Sequence, residues 1–401
     1  MIQINRPTYL QFLTDWKDEH VIKVVSGVRR CGKSTLFEMF KNHLIEDGID
    51  EKQIISINFE NIDFDELRNP IALNTYIKER IKENVKYYLF LDEIQNVTEF
   101  ERVVNSLQLN KNLDIYITGS NAYFLSGELA TLLTGRYVEL KMLPLSFKEF
   151  LSVNKNENLQ QAYNTYLKSS FPYAIMIDDI KKRHYLEGIY STVVLKDIVK
   201  RLNVTDVSVL DQLIRYMYAE IGNLHSINKI TNTLNSTGSK ITNKTVANYM
   251  SGIEDSMLVY RANRFNVKGR KVFSSNSKYY AVDIGLRRLI AGDRTEDYGR
   301  ILENIIYLEL LRREYQVFVG VIDNLEVDFL AIGSGEERLY IQVAYSTEQE
   351  NTLKRELRPL ERIKDNYPKL LLTMDTVLPE QNFGGIRKLN ALKWLANRIT
   401  E

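Results

Sequence analysis

Residues 27–35 read GVRRCGKST, and the fold of the N-terminal part of the chain turns on this stretch. Gly27, Gly32, Lys33 and Ser34 have the spacing of a loop that wraps a polyphosphate in backbone N–H groups. So short a pattern occurs by chance, and its flanks decide. Upstream, VIKVVS (Val21 to Ser26) is a β-branched run that predicts a buried strand. Downstream, TLFEMFKNHL sets Leu36, Phe37, Phe40 and Leu44 at helical spacing. Strand, glycine-rich turn and helix is the context the motif requires. In it the loop amides and the helix N-terminus face phosphate oxygens. Lys33 then reaches the β and γ phosphates, and the Ser34 hydroxyl holds Mg²⁺. The expected ligands are ATP and Mg²⁺, with Gly27, Arg30, Cys31, Gly32, Lys33, Ser34 and Thr35 as candidate nucleotide-binding residues.

Working outward, IISINF (Ile54 to Phe59) reads as a second strand and YYLFLDE (Tyr87 to Glu93) as a third, ending in two acids. Asp92 is the candidate second metal-holding residue beside Ser34. Glu93 is placed to polarise an attacking water, a role that needs a carboxylate one hydrogen bond from the nucleophile. A fourth strand, DIYITGSN, ends in small polar residues, and RYVEL forms a fifth. Strand C-termini converge on the ligand crevice in doubly wound sheets, so Thr118, Ser120 or Asn121 either meets the γ-phosphate and its water or simply makes the turn. Arg29 and Arg30 add positive charge to the loop. Cys31, next to Lys33 and a helix N-terminus, sits where a thiol pKa falls, so a redox switch is one expectation there.

GVRRCGKST, YYLFLDEIQ, IYITGSNA and LLTGRYVELKMLPLSFKEFL, in that order, resemble the AAA+ ATPases. More narrowly, they resemble a prokaryotic ATPase family with a C-terminal module of unknown function, over nearly the whole chain. The resemblance implies a strand inserted between the two nucleotide-binding strands, a position YITGSN would take. It also places a conserved Gly-Arg on Gly135-Arg136, making Arg136 a candidate arginine finger or phosphate sensor.

The chain has 401 residues, 44% hydrophobic and 26% charged, with a net charge of +1 and one cysteine. That length predicts several domains, and that balance excludes recruitment of nucleic acid or membrane by a global field. No membrane-spanning run or secretory signal is legible, and one cysteine fits a reducing cytoplasm. The expected fold class is α/β. Residues 1–150 form a P-loop AAA+ core with a parallel sheet, and 151–204 a helical lid. Residues 205–295 form a winged helix and 296–401 a restriction-endonuclease-like module. In the third segment Asp206 and Ser226 are candidate helix caps. TNKTVANYMSGIEDSML carries Val246, Met250, Ile253 and Met257 on one face, and VYRANRF with KVFSSNSKYYAV reads as a hairpin. Residues 221–282 hold nine Lys and Arg against two acids, Glu254 and Asp255. DNA contact through phosphates is therefore expected there, around Arg261, Arg264, Lys268, Arg270 and Lys271. A packing module that binds protein is the alternative.

From Tyr298 on, the order helix, three strands, helix, strand, helix resembles the restriction-endonuclease superfold. Its active pattern falls on Glu303 and Asp328, but Gln342-Val343-Ala344 stands where acid-x-lysine belongs. A carboxamide and a methyl supply neither metal ligation nor an oriented water, so an inactive nuclease fold is expected unless Lys354 or Lys364 reaches in. GSG at Gly333 to Gly335 reads as a hairpin turn. Four His and one Cys, dispersed, offer no metal cluster. The chain is thus expected to bind and hydrolyse ATP as a nucleotide-dependent switch, with DNA, a protein or its own copies as partner. A non-hydrolysing ATP scaffold, a phosphoryl transferase and an ATP-regulated nuclease are the rival readings.

Overall fold

Strand β1 (Ile22–Ser26) is buried along its whole length, as a β-branched strand with neighbours on both sides must be. It lies in a computed structural model that describes residues 4–119, 133, 135–154, 156–273, 276–292 and 297–398. Contacts divide the chain into two units, Met1–Pro144 with Asp255–Met257, and Leu145–Glu254 with Leu258–Glu401.

In the first unit α1 (Pro7–Asp15) precedes β1, and α2 (Lys33–Glu46) follows it. Then come β2 (Ile54–Asn58), α3 (Pro70–Lys78), β3 (Tyr87–Asp92), α4 (Phe100–Gln108), β4 (Leu113–Gly119) and β5 (Tyr137–Lys141). The five strands run parallel in the order β2-β3-β4-β1-β5, so β4 sits between β1 and β3. Alternation along the strands sends side chains to two layers. Phe90 of β3 and Tyr116 of β4 stack at 4.9 Å and meet Phe37 and Phe40 of α2. On the other face Val24, Leu89, Leu91, Ile115 and Ile117 pack with Leu73 and Ile77 of α3 and Val104 and Leu107 of α4. This sheet brings the C-terminal ends of β1, β3 and β4 to one edge.

The second unit begins with α5 (Phe147–Val153), where Ser146 and Glu149 form a reciprocal capping box. Then come α6 (Leu159–Tyr166) and α7 (Asp179–Thr192), which runs on through Val193–Val199 and Lys200–Leu202. The next segment holds α8 (Val207–Ala219), β6 (Leu224–His225), α9 (Ile227–Ser236), α10 (Asn243–Asp255) and β7 (Val259–Ala262). β8 (Arg264–Asn266), β9 (Lys271–Val272), β10 (Ser277–Ala281) and α11 (Ile284–Ala291) complete it. Asp206 caps α8 through the Val209 N–H at 3.1 Å. Ser226 holds the cap position of α9 without a side-chain cap bond, and Ile227 is exposed rather than buried, so that helix is anchored by Ile230 and Leu234. β10 pairs with β6 and β7 in a three-stranded sheet ordered β6-β10-β7. The hairpin expected over Val259 to Val282 is interrupted. β8 and β9 leave that sheet, pair with each other, and β8 runs parallel to β11 (Gln316–Ile322).

The remaining elements are α12 (Tyr298–Arg312), β12 (Leu325–Ile332), β13 (Arg338–Ala344), α13 (Glu350–Arg362), β14 (Lys369–Thr373), β15 (Gln381–Phe383), β16 (Ile386–Asn390) and α14 (Ala391–Leu395). The eight-stranded sheet runs β15-β16-β14-β13-β12-β11-β8-β9. The Gly333–Gly335 turn joins the antiparallel strands β12 and β13. Among the described residues no helix is long and apolar enough to cross a membrane.

Candidate nucleotide-binding site

The loop between β1 and α2 packs its back against the strand exit at Met142. A Cβ on Gly27 would lie 2.4 Å from the Met142 carbonyl oxygen and 2.9 Å from Cys31 Sγ, so only glycine fits. Arg30 (φ 67°) and Gly32 (φ 106°) take left-handed backbone, which turns successive N–H groups toward one concavity. The ammonium of Lys33, the first residue of α2, donates to Gly27 O at 3.0 Å and Val28 O at 3.4 Å. It also lies 3.7 Å from Glu93 Oε1. Ser34 and Thr35 are exposed on the first turn of α2, and Arg30 is exposed on the loop. Arg29 pairs with Glu60 at 3.6 Å.

Asp92 ends β3, buried, with a hydrogen bond from the Ser34 side chain. Thr118 Oγ1 donates to its Oδ1, and Asn58 Nδ2 donates to Oδ2 at 3.0 Å. Burial pushes the Asp92 carboxyl up, against the pull of the Ser34 and Thr118 bonds and of the Lys33 charge. Glu93 follows in left-handed backbone (φ 55°), its N–H donating to Thr118 Oγ1 at 2.9 Å. The Gln95 amide donates to Glu93 Oε2. Non-glycine residues in this backbone region concentrate at functional sites. The Ser34 hydroxyl and Asp92 carboxylate are hard oxygen donors already in contact, a set that fits Mg²⁺.

Lys33, Ser34, Asp92, Glu93 and Thr118 are therefore brought together. Cys31 is fully buried, and burial raises its thiol pKa, so its side chain is sealed beneath the loop rather than activated. Ser120 and Asn121 lie outside the described residues. Arg136 is not brought to the site. It precedes β5, where its carbonyl accepts from Ile22 N at the start of β1, while the loop leaves β1 at the far end. Five residues of strand separate them, on the order of 15 Å. Sequence reading missed Asn58 and Gln95. Asn58 closes the neighbouring strand as Asp92 closes β3, the one signal that pointed to it.

A second polar cluster joins β10 of the three-stranded sheet, helix α12 and β12 of the eight-stranded sheet. Lys278 of β10 directs its buried ammonium at Glu326 Oε1 (2.8 Å), Glu303 Oε1 (3.0 Å) and Asp328 Oδ1 (3.8 Å). Tyr280 donates to Glu303 Oε1 at 2.7 Å. Burial acts to lower the Lys278 pKa, but the three carboxylates outweigh it and hold the ammonium charged. Burial and Glu303 drive the Asp328 carboxyl well up, although Lys278 opposes them. Gln342 donates to Glu356 Oε2 at 2.9 Å and accepts from Asp328 N at 3.3 Å. Lys354 pairs with Glu350 and Lys364 bonds Glu361 O, so the lysine that meets the acids is neither of those expected. An ammonium already fills the space between Glu303 and Asp328, so these residues do not fit a divalent cation. Among the described residues no group of three or more His, Cys, Asp or Glu is arranged to hold a metal.

The basic segment is more engaged than its composition predicts. Arg261 Nε donates to Ser277 Oγ, Lys268 pairs with Asp323 at 2.5 Å, and the Arg264 guanidinium stands 5.0 Å from the Phe273 ring. Arg270 and Lys271 remain exposed.

Residues 19–151 match the AAA domain family, and residues 159–297 match a domain of unknown function. The chain is 40% identical over 398 residues to an uncharacterized protein of Haemophilus influenzae, covering 98% of each. It is 36% identical over 376 residues to an uncharacterized protein of Methanocaldococcus jannaschii, covering 86% of this chain and 79% of that one. Among solved structures it is similar to the Walker-type ATPase of Pyrococcus abyssi, at 16% identity and a TM-score of 0.49, covering 72% of this chain and 95% of that one. On its near full-length identity to the Haemophilus protein, the chain belongs to the same family of proteins and carries an AAA domain at its N-terminal end.

Proposed function

We propose that the protein binds ATP and hydrolyses it at the end of β1, β3 and β4. The observation that carries this reading is the convergence of Lys33, Ser34, Asp92, Glu93 and Thr118 on one edge of a parallel sheet. Loop amides and the α2 N-terminus receive the phosphates, and Lys33 exchanges carbonyl partners for phosphate oxygens. Ser34 and Asp92 would hold Mg²⁺, which supplies charge neutralisation on the phosphates when bound. Glu93 accepts the proton of the attacking water, and Gln95 and Thr118 fix its position through side chain and backbone. The Asp92-Glu93 pair sets a carboxylate beside Lys33, so water is the favoured nucleophile and hydrolysis is favoured over transfer. The test is Glu93→Gln. ATP affinity should persist while phosphate release falls by ~10²-fold or more. Equal turnover would assign the base elsewhere, and a wild-type protein that binds without turnover would leave the scaffold reading.

A specific observation favours nucleic acid as the partner of the second unit. The exposed side of α10 presents Asn243, Lys244, Asn248 and Ser251, with Lys229 and Lys240 exposed nearby in sequence. Three helices and a β6-β10-β7 sheet support the winged-helix reading, in which α10 enters a major groove. Asparagine pairs bidentately with adenine edges and lysine with phosphates or guanine. Nucleotide state would then bias a DNA-bound molecule, which is switch logic.

A further inference from the structure

Behind the phosphate loop, the guanidinium of Arg6 is buried, with 3% of the residue exposed. It bridges two carbonyls remote in sequence. Nη1 donates to Cys31 O at 3.2 Å and Nη2 to Leu143 O at 2.8 Å. Its plane lies 4.6 Å from the Tyr9 ring, and the Tyr9 hydroxyl accepts from Leu143 N at 3.1 Å. Arg6 is the residue at which α1 begins, so one turn of chain ties the loop to the strand exit after β5.

The bond to Cys31 O governs which way the loop faces. A trans peptide points its C=O and the next N–H in opposite directions. Cys31 O held toward Arg6 therefore turns the Gly32 N–H to the other side, where the loop is concave. Helix α2 does not claim that carbonyl, because its first acceptor is Gly32 O, bonded by Leu36 N at 2.9 Å. Gly27 O and Val28 O are held by Lys33. Lys33 leaves its two carbonyls when a phosphate arrives, whereas Arg6 keeps the Cys31 carbonyl, whose partial negative charge would repel a phosphate, turned away and leaves the Gly32 amide to face it.

We infer that Arg6 is a positioning residue for nucleotide binding, a brace that sets the Cys31–Gly32 peptide plane; this rests on the ATP reading above. Without it, that peptide can rotate and turn a carbonyl toward the phosphates. Both ADP and ATP should feel the loss, because the brace acts on the binding loop and touches no group that moves in the reaction.

The test uses the full chain with Arg6→Met and Arg6→Lys, measuring ADP and Mg-ATP affinity by calorimetry, phosphate release, and the nucleotide-free unfolding midpoint. Arg6→Met should weaken both nucleotides by ~10-fold or more, the scale of one charge-assisted hydrogen bond. KM should rise with that loss while kcat stays within about twofold, the signature of removed uniform binding. Arg6→Lys keeps a donor and charge in the same cleft and should recover part of the affinity, and it decides the matter if the methionine variant does not fold. A folded Arg6→Lys or Arg6→Met protein with wild-type affinity, and only a lowered midpoint, overturns the brace and leaves ATP binding standing. A wild-type protein that binds neither nucleotide overturns the ATP reading and the brace with it.

Discussion

At Lys33 the ammonium is satisfied by two loop carbonyls and approached by Glu93, so the side chain is preordered over the cradle. Lys33→Ala should cost ~100-fold or more in ATP affinity, read by calorimetry, with the fold retained because the ammonium's partners are two loop carbonyls and Glu93 rather than side chains of the apolar core. Asp92 carries a different tension. Its folded pKa lies above the ordinary 3.8, so the folded state holds that proton more tightly than the unfolded chain. The contribution of this group is then most favourable at low pH and is lost as pH rises from 3.8 through the raised folded value. Asp92→Asn should raise the nucleotide-free unfolding midpoint at neutral pH by ~2 °C and flatten its acid-side pH dependence, while abolishing Mg²⁺-dependent turnover. At Lys278 the balance runs the other way. Lys278→Met strands Glu303 and Asp328 as buried acids and should cost about 3–5 kcal/mol in urea unfolding, much of it regained in Lys278→Met with Glu303→Gln. Residues of this kind mark the edge of what a sequence discloses. Lys33, Ser34, Asp92 and Glu93 were legible because their chemistry is written in contiguous motifs. Arg6 and Lys278 were not, because each acts on partners 25 or more positions away and neither sits in a recognisable pattern.

The strands of the first unit and α2 followed from sequence pattern, since a doubly covered parallel strand must be apolar throughout and α2 must alternate with solvent, whereas α1, α3 and α4 were not read from it. The place of β4 between β1 and β3 was implied by the resemblance to the AAA+ ATPases rather than by any property of DIYITGSN itself. Strand direction decides the fate of Arg136. Because β5 runs parallel to β1, a residue at its start lies at the end of the sheet opposite the loop. Arg136→Ala should leave ATP affinity unchanged, and turnover should fall only where a second copy lends its arginine. Mixing Arg136→Ala with Lys33→Ala protein and finding restored phosphate release would reveal that copy. The interrupted hairpin was not legible, because three residues of β8 carry no signal for which sheet they join. This detour draws the DNA expectation toward α10. Lys244→Gln should flatten the slope of log affinity against log salt by ~0.9, whereas Lys268→Gln, already paired with Asp323, should change it little.

Over the whole molecule, the second unit carries an eight-stranded sheet, and Lys278 stands among Glu303, Glu326 and Asp328. Since that lysine stands where a cation would bind, the purified protein is expected to leave supercoiled DNA intact in Mg²⁺ or Mn²⁺, and nicking that vanishes in Asp328→Ala would reverse this reading. The parallel pairing of β8 with β11 has a consequence in time as well as space. Arg264 must wait for Val319, made fifty-five residues later, before its strand has a neighbour on that side. At ribosomal rates of about 5–20 residues per second, that is roughly 3–11 s with the segment joined to β9 alone. During those seconds the nascent chain offers an open strand edge to any other chain being made beside it, and crowded synthesis of this protein is the condition under which it is most exposed to mispairing.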